Sequence, residues 1–530
     1  MGAVTRAEWR WAAAFSAAAA AVLLLPYVIA YSAQGDAWRF SGFLFGVEDG
    51  NSYIADMRQG AGGAWLFRIP YTTEPQHGTL MYLPYLLLGK LAAGPARHEQ
   101  LVVLFHLAQF AAAMAMLLAI YRFLAVFVEN VGLRRWGWFA AAFGGGFGWL
   151  LLTRPASYPL EFTSPEAFGF LALFGIPHLA AARAFLLLAL AWFAAEPQPG
   201  ARLHPGVKVG LALALGWLFQ PLIAAVAPAV MVAYVAAVFL RGRFRRTDSQ
   251  LLRGPLSRAL IATAIVSPLL LYTALSIFLD PVLRRWAAQN LLPAPPFSEY
   301  LLSFAVLLLP AAAGAVRSVR AGGRYLLPAA WLAIFPALVY APVSIQRRLA
   351  EGVWTALVAL ALVWIEPMPA GRLRRGFFVL ASALLLPAAA LFYGLTAAGA
   401  VSPAAPAFVP AEEVRALEWV DAKVEAGAVV LAPYAAGNAL PAYADVYSYI
   451  GHGPETADLA EKLVLARTVF DGSLPAAERL AALRQTGADY VFLGPEEAAS
   501  FGFGLPGSRL IYSAGGWQVW KVDIRTDPVL

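Results

Sequence analysis

Eleven apolar runs, divided by charged or Pro/Gly breaks, constrain this chain more than anything else in it. They cover residues 11–32, 99–122, 136–152, 169–194, 207–219, 222–240, 258–279, 301–316, 325–343, 352–366 and 376–397. About twenty apolar residues carry a helix across a bilayer. In lipid only structures that satisfy their own backbone groups survive, and a helix does so within one segment. The expected fold class is therefore mainly α, a polytopic transmembrane helical bundle of about eleven spans, with room for twelve or thirteen. Composition agrees: 60% of the 530 residues are hydrophobic and 13% are charged. That is about half the charged share of a soluble domain. Cysteine is absent, which excludes disulfides, thiolate catalysis and thiolate-bound metals.

The basic residues give the orientation. With Arg6 and Arg10 inside, Arg134 and Arg135, Arg202 and Lys208, the cluster Arg241, Arg243, Arg245, Arg246 and Arg253, then Arg317, Arg320 and Arg324, and finally Arg372, Arg374 and Arg375 fall mostly on one side. The net charge of +7 is thus a membrane signature rather than a nucleic-acid one. The first run, flanked by Arg6 and Arg10, has the length of a span and reads as an uncleaved first helix. Gln220-Pro221 divides 207–240 into two short helices with a tight turn, or else one long tilted helix runs through it. Residues 78–93, with Pro84 inside, are short for a span and read as an interfacial or re-entrant piece.

On the opposite side lie a long first loop, 33–98, further loops at 153–167, 280–300 and 344–351, and a tail from about 400. The tail reads as a small α/β domain, giving domains of 1–399 and 400–530. Val414, Leu417, Val420 and Val424 share a helical face, TADLAEKLVLARTVF and PAAERLAALRQT are helical, and GAVVLAP, DYVFLGP and GWQVWKVDI are strand-like.

Chemistry concentrates in the first loop. Glu48 and Asp49 lie between Gly46 and Gly50, in a loop too long and too aromatic for a mere connection. A carboxylate there serves as a general base on a hydroxyl, or as a ligand to a divalent cation such as Mg or Mn, in which Glu166 would share. Adjacent acids point in different directions, so one of the pair faces the site, and the pattern leaves open which. The second loop ends in Ser164-Pro165-Glu166, and His178 follows within the next apolar run. An intramembrane ionisable group marks a functional site or is absorbed by a helix carbonyl. Arg347 and Arg348, after Gln346, stand on the side where basic residues are scarce. They call for an anion, either a phosphate or a local carboxylate such as Glu351. Gln220 would line the same cavity. Gly451-His452-Gly453-Pro454-Glu455-Thr456, with glycines on both sides of a histidine, suits close approach of backbone to a ligand, or else is a loop opening a helix with Thr456 as its N-cap. Walker A, H-E-x-x-H and G-x-S-x-G motifs are absent, and GGGFG at 144–148 reads as close helix packing.

In plan, the chain resembles the GT-C superfamily of polytopic glycosyltransferases. The acidic pair Glu48-Asp49 sits where that family carries its first-loop acids, SPE at 164–166 resembles the second acidic motif of oligosaccharyltransferase catalytic subunits, and QRR at 346–348 lies where such enzymes contact the carrier phosphate. The departure is Glu-Asp with only Leu83-Pro84-Tyr85 after it, where protein mannosyltransferases and aminoarabinose transferases carry Asp-Glu and Pro-Pro-Leu. The resemblance implies transfer of a sugar from a polyprenyl-phosphate donor to a glycan, lipid or protein acceptor. The reaction would occur at the extracytoplasmic face of a bacterial inner membrane, with the N-terminus cytoplasmic and the tail outside. A transporter or flippase of a lipid-linked substrate is the alternative.

Overall fold

The computed structural model of the chain describes residues 4–93, 98–154, 159–195, 203–245, 250–500 and 504–523. Arg202, Arg246 and the middle of the second loop, 155–158, lie outside them. Among the described residues, eight helices are long and apolar enough to cross a membrane: Arg6–Ala33, His98–Phe127, Pro177–Ala194, Ile223–Phe244, Leu252–Leu279, Phe297–Ala321, Gln346–Ile365 and Arg372–Ala400. Pro205–Phe219 and Gly323–Val339 are shorter apolar helices. Large apolar side chains such as Leu107, Val232, Leu271 and Leu309 remain exposed on them, as faces turned to lipid require. The chain is an integral membrane protein.

All eleven apolar runs fall on helical segments, but three are interrupted. The run 136–152 gives a helix that ends at Phe143, followed by a separate 3-10 turn at Gly148–Thr153. The cause lies in the glycines between: a Cβ on Gly146 would stand 2.2 Å from the Ser303 carbonyl oxygen. The close packing expected of GGGFG is present, and it has a second use. Glu161 accepts hydrogen bonds from the N–H groups of Gly146 and Gly148 and from the Ser303 hydroxyl. The run 169–194 breaks into Gly169–Gly175 and Pro177–Ala194, because a residue before proline is driven out of the helical region. The run 376–397 is interrupted at Leu386, between Arg372–Leu385 and Pro387–Ala400, while the runs 207–219 and 222–240 form two helices that turn at Gln220-Pro221.

The described structure divides into two compact units. The first comprises Met1–Leu25, Leu107–Leu275 and Leu291–Leu395. Its helices Phe297–Ala321 and Val353–Ile365 cross at Gly314, where a Cβ would stand 1.9 Å from the Leu360 carbonyl oxygen. Two buried ion pairs hold it: Arg134 with Glu8 at 2.6 Å and Arg183 with Glu351 at 2.7 Å. Unpaired, each charge would sit in a low-dielectric medium at a cost of several kcal/mol.

The second unit comprises Pro26–His106, Ser276–Asn290 and Thr396–Leu530. The tail therefore shares a core with the first loop. Phe43, Ile54, Met57, Tyr85 and Phe105 bury against Val414, Leu417, Leu440 and Tyr443. A short antiparallel ladder, Trp38–Phe40 with Phe408–Pro410, ties the loop to the start of the tail. Beyond it lies a five-stranded sheet in the order Tyr447–Ser448, Val429–Leu431, Tyr490–Leu493, Trp517–Val522, Ser508–Ala514. The first three strands are parallel and the last two antiparallel, joined by a hairpin at Gly515-Gly516, both with positive φ.

Residues 78–93 yield only the seven-residue helix Leu83–Gly89. At about 1.5 Å per residue it cannot cross a bilayer. It crosses the Val47–Ala61 helix with the backbones nearly touching: a Cβ on Gly89 would meet the Met57 carbonyl oxygen at 1.8 Å.

Candidate functional site

Glu48 and Asp49 occupy the first turn of a helix, Val47–Ala61, rather than a loose turn. Gly46, in the left-handed region at φ 59°, reverses the chain just before it. Acids in a first turn complement the positive end of the helix dipole. Positions 49, 52 and 56 follow i, i+3, i+7 spacing, so Asp49, Ser52 and Asp56 share one helical face.

That face meets the tail. The helix Tyr434–Tyr443 packs on the adjacent side through Asn438, which bonds to the Asn51 side chain at 2.8 Å and donates to the Glu48 carbonyl at 3.2 Å. The loop 451–456 is pressed against the same helix, since a Cβ on Gly451 would stand 2.4 Å from the Gly437 carbonyl carbon. Thr456 does not cap the following helix, which begins at Leu459 with Asp458 before it. Its hydroxyl instead accepts from the N–H groups of Gly451 and His452, closing the loop on itself.

The two acids are treated differently. Glu48 accepts from the Tyr434 hydroxyl at 2.6 Å and from the Gly453 N–H at 2.8 Å. Asp49 keeps its side chain 64% exposed, with His452 Nε2 3.3 Å from one carboxylate oxygen. Both acids are exposed; Glu48 is tied to the tail through one carboxylate oxygen, and Asp49 faces His452. Beneath Asp49 the Ser52 hydroxyl donates to both oxygens of Glu455, at 3.1 and 3.2 Å. Asp56 lies one turn deeper, fully buried, with no hydrogen-bond partner on either oxygen.

Burial opposes a charged imidazole at 452, but Glu455, the bond to Asp49 and the charge of Glu48 outweigh it and push His452 up to about 9. Burial and the nearby Glu455 together hold Asp56 well above the usual carboxylate range. Burial also raises Glu455, against the pull of His452 and Ser52. Glu455 has the Ser52 hydroxyl as a donor, while Asp56 has none among the described residues.

In the first unit the remaining sequence-derived residues cluster on two short segments. Arg348 Nε stands 3.5 Å from Glu166, while Glu351 is taken by Arg183. The carboxylate partner of Arg348 is therefore Glu166 and not Glu351. Arg183, half-way down its own helix, also donates to the carbonyls of Pro165 and Glu166 and so fixes the SPE turn. Arg347 is half-buried, and its Nε has no hydrogen-bond partner among the described residues. Gln346 braces the segment, accepting from the Ala294 N–H and donating to the Ala341 carbonyl. His178 lies half-buried in the first turn of Pro177–Ala194, and Gln220 is buried at the turn that ends Pro205–Phe219.

Two solved structures are similar to the chain along nearly its whole length. One is the archaeal oligosaccharyltransferase AglB from Archaeoglobus fulgidus in complex with an inhibitory peptide and a dolichol-phosphate. The TM-score is 0.51 at 15% identity, over 96% of this chain and 75% of that one. The other is the arabinofuranosyltransferase AftD from mycobacteria, at TM-score 0.57 and 15% identity, over 99% of this chain and 40% of that one. The chain has the GT-C glycosyltransferase fold. Identities this low speak for the fold alone. No family model matches the chain, and no curated protein matches it in sequence.

A metal is the next question for a GT-C fold, since the Archaeoglobus protein has also been solved in complex with zinc and sulfate. Among the described residues no three His, Asp or Glu side chains are grouped to hold a metal ion. Asp49 is turned to an imidazole and Glu166 to a guanidinium. As arranged, these donors do not fit a divalent cation, and no step below is routed through one.

His452, Glu455, Asp56 and Asn438 are the residues that sequence reading missed. The signal for His452 was present, since glycines flank it on both sides, but it carried no address. Nothing local tells a loop near residue 452 that its partner is near residue 49.

Proposed function

We propose that the chain is a membrane glycosyltransferase that moves a sugar from a polyprenyl-phosphate donor to a glycan, lipid or protein acceptor. The proposed reaction takes place at the extracytoplasmic face of a bacterial inner membrane. Residues 1–399 form the membrane domain in this reading, with the N-terminus cytoplasmic, and 400–530 the outer domain. The observation that carries it is the exposed, oriented Asp49 carboxylate in the first loop of a GT-C fold. Two members of that fold are named for sugar transfer, and one was solved with a dolichol-phosphate.

Asp49 accepts the proton of the acceptor hydroxyl as that oxygen bonds to the anomeric carbon. The bond from that carbon to the carrier's phosphate oxygen breaks, and its electron pair leaves with the phosphate. Arg347, whose Nε is uncommitted, and Arg348, held lightly by Glu166, are the cations for that phosphate. Gln346 holds their segment in shape, and Glu166, His178 and Gln220 serve the donor's sugar. Glu48 is the structural member of the acidic pair in this reading, because its Oε1 joins both Tyr434 and Gly453.

The test is a transfer assay. Purified protein in lipid nanodiscs meets a panel of radiolabelled polyprenyl-phosphate sugars, with a membrane extract as acceptor. Label leaving the carrier supports the reading and identifies the donor. Intact donor throughout the panel, with folded protein, contradicts it.

A further inference from the structure

We infer that His452, as an imidazolium supplied by the tail, holds and orients the Asp49 carboxylate, which makes it a positioning residue for the base. Its catalytic meaning rests on the transfer reaction proposed above; the pairing itself stands on geometry.

The imidazole is fixed from several directions. His452 is 6% exposed, while the carboxylate it faces opens to solvent. The Tyr71 ring lies against it at 5.4 Å, and Tyr71 is itself anchored by donating to the Asn438 carbonyl. The loop on either side is pinned by Thr456, by the bond from Gly453 to Glu48, and by Gln289, which donates to the carbonyls of Pro454 and Thr456. Such a framework restricts the ring to one direction, and that direction is Asp49. A side chain needed only to fill space would not require a loop tied at so many points.

The groups around the ring settle its charge. From the Val47–Ala61 helix come Glu48, Asp49 and Asp56. The loop itself brings Glu455. Tyr71 and Tyr434, both raised above their ordinary range by burial and by the neighbouring acids, stay neutral. Lys462, on the helix that follows, is engaged by Glu74. One imidazolium among these acids balances part of their charge, which agrees with His452 lying near 9. His452 Nδ1 is buried with no hydrogen-bond partner among the described residues, so Nε2 carries the directed contact.

The consequence for the base is specific. One oxygen of Asp49 is tied by a charge-assisted hydrogen bond, which sets the carboxylate's rotamer. The carboxylate, 64% exposed, is turned to where an acceptor hydroxyl would approach. Glu455, set by Ser52, in turn keeps His452 protonated.

The experiment uses the full-length protein in nanodiscs, with ring-labelled histidine, and follows each imidazole by NMR as pH is raised. His452→Gln assigns the resonance. The expected result is a His452 that is charged at pH 7.5 and titrates near 9, with Asp49→Asn and Glu455→Gln each lowering its midpoint by about one unit or more, as loss of an adjacent charge does. In the transfer assay His452→Gln is expected to lower kcat by roughly tenfold or more while the KM for donor stays within about twofold. Glu455→Gln should move the alkaline fall in rate to lower pH. A His452 that titrates below 7, a midpoint unmoved by both carboxylate variants, or a His452→Gln protein with wild-type kcat would overturn the inference. If the wild type transfers no sugar while His452 still titrates with Asp49 and Glu455, the pairing stands and the transfer reading alone fails.

Discussion

The imidazole of His452 stands 3.3 Å from the carboxylate of Asp49, although 403 positions separate them in the chain. The acid comes from the first loop and the imidazole from the tail, and both belong to one compact unit. The tail is thus part of the structure that presents the proposed base, and the consequences can be tested residue by residue.

The two neighbouring acids should behave differently on substitution. Both acids are exposed, but Glu48 Oε1 takes two hydrogen bonds, from Tyr434 and Gly453, where Asp49 has the His452 contact. Glu48→Gln keeps the shape and one acceptor oxygen, so transfer should remain within about tenfold of wild type, with the loss expressed mainly as a lower melting temperature. Parallel kcat and thermal-shift measurements check this. A Glu48→Gln protein that is stable but inactive would exchange the roles of the two acids.

Stability should fall at alkaline pH because of His452. Its folded value is about 9, against about 6.5 for a free imidazole. A group raised on folding contributes stability that is fully present below the unfolded value and lost as pH rises through the folded one. The melting temperature of the wild type should therefore decline between about pH 6.5 and 9.5. His452→Gln should flatten that decline, which a pH series of thermal-shift curves would reveal.

Much of this architecture was legible in the sequence, for physical reasons. Span-length apolar runs leave a chain few choices in lipid, so the helical segments appear where hydropathy placed them. The face Val414, Leu417, Val420 is buried as its spacing implied, and Val424 packs at its edge. The breaks at Gly144–Gly146 and Ile176-Pro177 were harder to see, because an apolar glycine or proline does not lower hydropathy. The helix Tyr434–Tyr443 went unrecognised since Pro441 lies inside it. Asp49 was visible as half of an acidic pair. The choice between Asp49 and Glu48 was not, because it depends on Tyr434 and Gly453, nearly four hundred positions away. Arg183 looked like one more residue of an apolar run, and its pairing with Glu351 appears only in three dimensions.

That pair gives a prediction for the membrane unit. Arg183 and Glu351 are each about 1% exposed and 2.7 Å apart. Removing one leaves the other as an uncompensated buried charge, so Arg183→Met should destabilise by about 3–5 kcal/mol. Replacing both, with Arg183→Met and Glu351→Leu, should recover most of the loss. Thermal unfolding in detergent distinguishes the single from the double variant.

On the phosphate side the two arginines should separate. Arg348 is shared with Glu166, while the Arg347 Nε has no partner. Arg347→Ala should raise the KM for the lipid-linked donor by roughly 10–100-fold, the scale of about 1.5–3 kcal/mol for a charge-assisted bond. Arg347→Lys should restore part of it, since an ammonium keeps the charge without the fork. Arg348→Ala should cost less. Donor titrations with acceptor in excess measure all three.

The central claim is that Asp49 is the base of a sugar transfer, and single-turnover transfer by the Asp49→Asn protein tests it most directly. The amide keeps the size of the side chain and an oxygen for His452, so the fold should persist, as a melting curve beside the assay would show. The account predicts that label moves from a polyprenyl-phosphate donor in the wild type and that the rate falls by roughly 10²–10⁴-fold in Asp49→Asn, the usual worth of a positioned base. Transfer at the wild-type rate by a folded Asp49→Asn protein would contradict it.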